Sequence, residues 1–172
     1  MINSRNKTRE CKEERQCCNR GNNECNNMSV FRCSINEIAE GIKKCNNGLS
    51  DIIRCNDNEG IRQCREGIRD IGEGICSLKE DLEDVDNRRN CEALRAIQEG
   101  ICDIEEGVEE ITAGLVDVER RNRREGIRQI RRGICACEEG LNDIVEGISR
   151  LDLEEQEEEC CIKNIRIDIS IN

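Results

Sequence analysis

Twelve of the fourteen glycines in this 172-residue chain recur at seven-residue intervals, and each is followed at once by Ile, Leu or Val. They stand in four runs: Gly41 and Gly48; Gly60, Gly67 and Gly74; Gly100, Gly107 and Gly114; and Gly126, Gly133, Gly140 and Gly147. A glycine inside a helix costs about 1 kcal/mol relative to alanine, so twelve of them represent roughly 10 kcal/mol that other interactions must offset. The spacing therefore predicts that a second backbone approaches each glycine closely, adding dispersion contacts along the helix. The rival geometry is a β-solenoid of seven-residue rungs with glycine at each corner. The neighbouring apolar residues decide against it, because they keep a 3-4 spacing and not the period of two that strands show.

The 3-4 pattern runs in four segments, marked by Ile35, Ile38, Ile42 and Leu49; by Ile61, Ile68, Ile75 and Leu82; by Leu94, Ile101, Val108 and Leu115; and by Ile127, Ile134, Leu141 and Ile148. Its phase breaks in clusters of Asn, Asp and Arg at residues 55–58, 86–90 and 120–124, which are the expected turns. Three segment starts also carry the spacing of a capping box, in which a short polar side chain and a Glu three positions later satisfy exposed amides. These are Ser34 with Glu37, Asn56 with Glu59, and Asn122 with Glu125. Two internal similarities suggest duplication: residues from Asn56 match those from Asn122 at an offset of 66, and residues from Ile38 resemble those from Ile97 at an offset of 59. The expected fold is all-α, an antiparallel four-helix bundle made of two such hairpins, the second with a longer first helix. Its helices are placed at about 34–54, 58–86, 90–119 and 123–153, within a body of residues 34–155.

Composition narrows the function. Phe31 is the single aromatic residue and Trp, Tyr, Pro and His are absent, so the core must be built from Ile, Leu, Val and Cys. The net charge of −11, with Arg and Glu interleaved, argues against nucleic acid, whose phosphates call for a basic face. No apolar stretch reaches the roughly 18 to 20 residues needed to span a bilayer. The run from Glu154 to Glu159 reads as a solvated helix end. The fifteen cysteines imply an oxidising setting, yet residues 1–18 lack the apolar segment of a signal peptide. A protein made inside a cell that later lyses, such as the mother cell of a spore, satisfies both conditions.

The ends differ from the body. Residues 1–33 hold Cys11, Cys17, Cys18, Cys25 and Cys33 with little apolar periodicity, and read as an extended connector arm. In the tail, residues 156–172, the adjacent Cys160 and Cys161 precede Ile165, Ile167, Ile169 and Ile171, which alternate with polar residues as in a β-strand with one buried face. Such a strand would pair with the segment from Met28 to Cys33 or add to the sheet edge of another subunit. The plainer alternative is a frayed tail.

The chemistry open to the cysteines is limited by the missing histidine. Zinc would need an all-Cys site, and no paired CxxC occurs. A cysteine nucleophile would lack its usual base, so the chain reads as a non-enzyme with no cofactor and no small-molecule substrate. Disulfides fit better. Folding the second and third helices back on one another would set Cys76 near Cys102, and the first and fourth would bring Cys55 toward Cys135, although sequence alone fixes no connectivity. The odd total leaves at least one thiol for another chain, and Cys11, Cys17, Cys18, Cys25, Cys33, Cys160 and Cys161 are the candidates for bonds between subunits.

The cysteine-rich arm with Cys17-Cys18, the second double cysteine at Cys160-Cys161 and the missing signal peptide together resemble cysteine-rich bacterial spore-surface proteins, among them endospore appendage fibre subunits and exosporium proteins. The resemblance covers the arms and the composition; the appendage subunits have β-jellyroll bodies where this body reads as helical. It implies a structural subunit whose only partner is itself, assembled into a disulfide-cross-linked fibre or layer outside the cell or at a spore surface. The alternative is a cysteine-rich metal-binding or thiol redox protein.

Overall fold

The structure, a computed structural model, describes residues 28–151 apart from 84, 86 and 87. Four helices account for nearly all of them: α1 (Met28–Ile53), α2 (Asp57–Leu82), α3 (Cys91–Glu119) and α4 (Arg123–Ser149). They form a helical bundle in which α1 packs on α2 and α3 on α4, and no strand occurs among the described residues. The solenoid is thereby set aside.

Helix α1 begins six residues before the expected Ser34. The reason lies in the seam, for Phe31 stands seven residues before Ile38 and is fully buried, as is Ser34, which stands seven before Gly41. Ser34 is thus not a cap. Its hydroxyl donates to Asp81 Oδ2 on α2 at 2.9 Å, from the inside of the bundle. Met28 to Cys33 is helical and so is not the strand once considered as a partner for the tail. The segments holding Cys11, Cys17, Cys18 and Cys25, and those holding Cys160, Cys161 and the alternating isoleucines from Ile165 to Ile171, lie outside the described residues.

The expected capping boxes at Asn56 and Asn122 mark true helix starts, but neither asparagine side chain makes a capping bond. Their glutamates turn elsewhere. Glu59 accepts from Arg62, and Glu125 from Arg128, one turn further on. The guanidinium of Arg62, then the amide of Gln63, hold the Glu59 carboxyl down to about 2.

The α1–α2 and α3–α4 turns are copies of one another. Residues 53 and 57 bound the first and residues 119 and 123 the second, an interval of 66. In each, the amide of the last turn residue reaches back five positions, from Asn56 to Asp51 O at 2.9 Å and from Asn122 to Asp117 O at 2.8 Å. This is the long bond of a Schellman ending, which requires a left-handed residue just before it. Cys55 (φ 68°) and Arg121 (φ 67°) take that role. The 59-residue offset read for the first helices is therefore not the one the turns select: both helices of a hairpin match their counterparts at 66, and α3 extends further from its turn.

Candidate functional site

Each hairpin is closed by a seam of small residues. Gly41 faces Gly67 and Gly48 faces Gly60 between α1 and α2; Gly100 faces Gly140, Gly107 faces Gly133 and Gly114 faces Gly126 between α3 and α4. A Cβ placed on Gly48 would lie 2.5 Å from the carbonyl oxygen of Gly60, and one on Gly60 would lie 2.5 Å from that of Gly48. Real side chains do not tolerate such distances, so the backbones meet directly. Two non-glycines continue the same series: Ser34 lies against Gly74 and Ala93 against Gly147. Beside the glycines runs a row of fully buried residues, among them Ile38, Ile52, Ile71, Leu78, Ile97, Ile104, Ile111, Ile130 and Ile144.

Three cysteines occupy that row. Cys45, Cys64 and Cys137 are each fully buried. Cys45 Sγ lies 3.6 Å from Cys64 O and Cys64 Sγ lies 3.5 Å from Cys45 O, so each thiol donates across the seam to the other residue's backbone. Glycine makes room for both, since Cys64 Sγ fills the space beside Gly48 and Cys45 Sγ the space beside Gly67. The side-chain contact with the Cys64 thiol, followed by burial, pushes the Cys45 thiol well up. The contact with the Cys45 thiol draws Cys64 down, against the upward effect of burial. Cys137 donates to Ile104 O at 3.6 Å, and burial, with a smaller contribution from Glu138, pushes it up to about 12. Nearby, Asp70 is buried against the Lys44 ammonium.

A second population of thiols is exposed: Cys55, Cys76, Cys91, Cys102 and Cys135. Cys91 and Cys102 border one surface groove along α3, together with Leu94 and Gln98. Cys33, placed in the arm by its sequence, sits in α1 and is half-buried.

Polar contacts between the hairpins set their register. Asn46 reaches Glu138 at 3.0 Å between α1 and α4, while Arg65 reaches Glu119 at 2.7 Å and Lys79 reaches Glu105 at 2.9 Å between α2 and α3. In this register Cys76 comes level with residue 108 and not with Cys102, a stagger of about six residues or roughly 9 Å along the axis. Cys55 is staggered from Cys135 by about the same amount, roughly 9 Å, and lies in the turn beyond α1. All four thiols are free in the structure. The cysteines that the helices do bring together are Cys45 and Cys64.

Among the described residues no group of three or more Cys, Asp or Glu side chains converges as metal ligands, and no helix is long and apolar enough to cross a membrane. No family model, curated protein or solved structure matches the chain.

Proposed function

We propose that the chain is a structural subunit that assembles with copies of itself into a disulfide-cross-linked fibre or layer, outside the cell or at a spore surface. The observation that carries this reading is the set of five exposed thiols on the bundle, none paired with another among the described residues. Glycine seams give each hairpin direct backbone contact, and a body of that kind holds its surface thiols at fixed positions. Cys91 and Cys102, sharing one groove on α3, present two of them on a single face. The terminal cysteines, Cys11, Cys17, Cys18, Cys25, Cys160 and Cys161, add further bonding points at both ends of the sequence. A head-to-tail contact that does not close generates a fibre, and covalent bonds then fix it against heat and denaturant.

The test is negative-stain electron microscopy of the air-oxidised protein with and without reductant, after exposure to denaturant. Regular fibres or sheets that persist in denaturant and disperse with reductant are the expected result. Uniform small particles under both conditions would sink the proposal.

A further inference from the structure

The first hairpin holds one layer unlike any other among the described residues. Its register sets Phe31 level with Leu78 and Ile38 level with Ile71, all fully buried, and then sets Cys45 level with Cys64. At the corresponding level of the second hairpin, 66 residues on at residues 111 and 130, stand two fully buried isoleucines. Two thiols fill that level less completely than two isoleucines would, so packing alone does not account for them.

Their geometry accounts for them better. A disulfide needs Cα atoms roughly 4.4 to 6.8 Å apart and side chains turned toward one another. The glycine seam on either side of this layer presses the two backbones together, with Gly48 against Gly60 and Gly41 against Gly67. Each sulfur crosses the seam far enough to reach the opposite main-chain carbonyl, at 3.5 and 3.6 Å.

We propose that Cys45 and Cys64 are an oxidative modification site, at which a small-molecule disulfide joins the two sulfurs and locks α1 to α2. Cys64, as thiolate, attacks one sulfur of the oxidant; the oxidant's S–S bond breaks and its first half leaves as a thiolate. Cys45 then gives up its proton and displaces the second half from the mixed disulfide. Two electrons pass to the oxidant, the two cysteine protons end on its two released thiols, and the Cys45–Cys64 bond forms. Because both sulfurs are buried, the reaction proceeds through transient opening of the hairpin, and is slower than oxidation of the exposed thiols. The bond is intrachain and uses neither an exposed nor a terminal cysteine, so it stands or falls independently of assembly.

The test is made on the reduced full-length chain, incubated with oxidised glutathione, quenched, alkylated and digested with trypsin. Cleavage after Lys44, Arg54, Arg62 and Arg65 isolates residues 45–54 and 63–65, each with a single cysteine. The expected product is these two peptides joined, accompanied by a higher urea midpoint. A Cys45→Val/Cys64→Val double variant, which keeps an apolar layer, should fold, still form any reductant-sensitive multimers, and show no such midpoint rise. Recovery of Cys45 and Cys64 as separately alkylated residues, or joined to other cysteines, would overturn the proposal.

Discussion

Gly114 and Gly126 touch reciprocally across the second hairpin: a Cβ on the first would lie 2.7 Å from the carbonyl oxygen of the second, and a Cβ on the second 2.5 Å from that of the first. What such a Cβ would meet is main chain, which cannot rotate aside as a side-chain tip can. The usual preference for alanine over glycine within a helix is therefore reversed at the seam.

Gly114→Ala should lower stability by about 1 to 3 kcal/mol, the range for overpacking a close-packed site. Gly72 is the internal control, since a Cβ there meets nothing within 4 Å. Gly72→Ala should raise stability by about 0.5 to 1 kcal/mol through helix propensity alone. Urea midpoints of the two variants measure both; a stabilised Gly114→Ala protein would mean that the seam is looser than described.

The left-handed residues Cys55 and Arg121 occupy the position where glycine usually ends a helix. Arg121→Gly should stabilise the α3–α4 turn by about 0.5 to 1 kcal/mol, since a side chain in this conformation costs roughly 1 to 2 kcal/mol. Thermal unfolding reads the change. A lowered melting temperature would show that the Arg121 side chain contributes more than its backbone strain removes.

Alkaline pH should unfold the protein through its buried thiols. The Cys137 thiol has an ordinary value of 9.0 and is held up to about 12 in the fold. A raised folded-state value means that the folded chain retains a proton the unfolded chain releases. Its stabilisation is complete below 9.0 and is lost as pH rises toward about 12. With no His or Tyr in the sequence, Lys and Cys are the only side chains that titrate over this window apart from the strongly basic Arg. Urea midpoints followed upward from neutral pH should stay level and then fall, and Cys137→Val should make the fall shallower. An unchanged slope in that variant would show that Cys137 does not govern the loss.

Much of the helical core could be read directly from residue spacing. The four segments, the three turns and the contact of backbones at glycine all follow from it, because an amphipathic period and a missing Cβ act locally. Phe31 and Ser34 were misassigned for a related reason. Each lies in phase with the heptads, but a serine three residues before a glutamate also resembles a cap, and its true role depends on Asp81, 47 residues away. The capping boxes at Asn56 and Asn122 fail similarly, since Glu59 and Glu125 have arginine partners one turn on that outcompete a backbone amide.

What the sequence determined by itself was that this chain makes helices and that their backbones touch. Which residues come level was decided by tertiary structure. A pattern repeating every seven residues is satisfied nearly as well after a slip of one heptad, so periodicity cannot choose between offsets of 59 and 66, and it says nothing of which residue of α3 comes level with Cys76. The three-residue turns at Cys55 and Arg121, with the Asn46, Arg65 and Lys79 contacts between hairpins, remove that degeneracy. By fixing the register they set Cys45 opposite Cys64, and leave Cys55, Cys76, Cys91, Cys102 and Cys135 facing solvent.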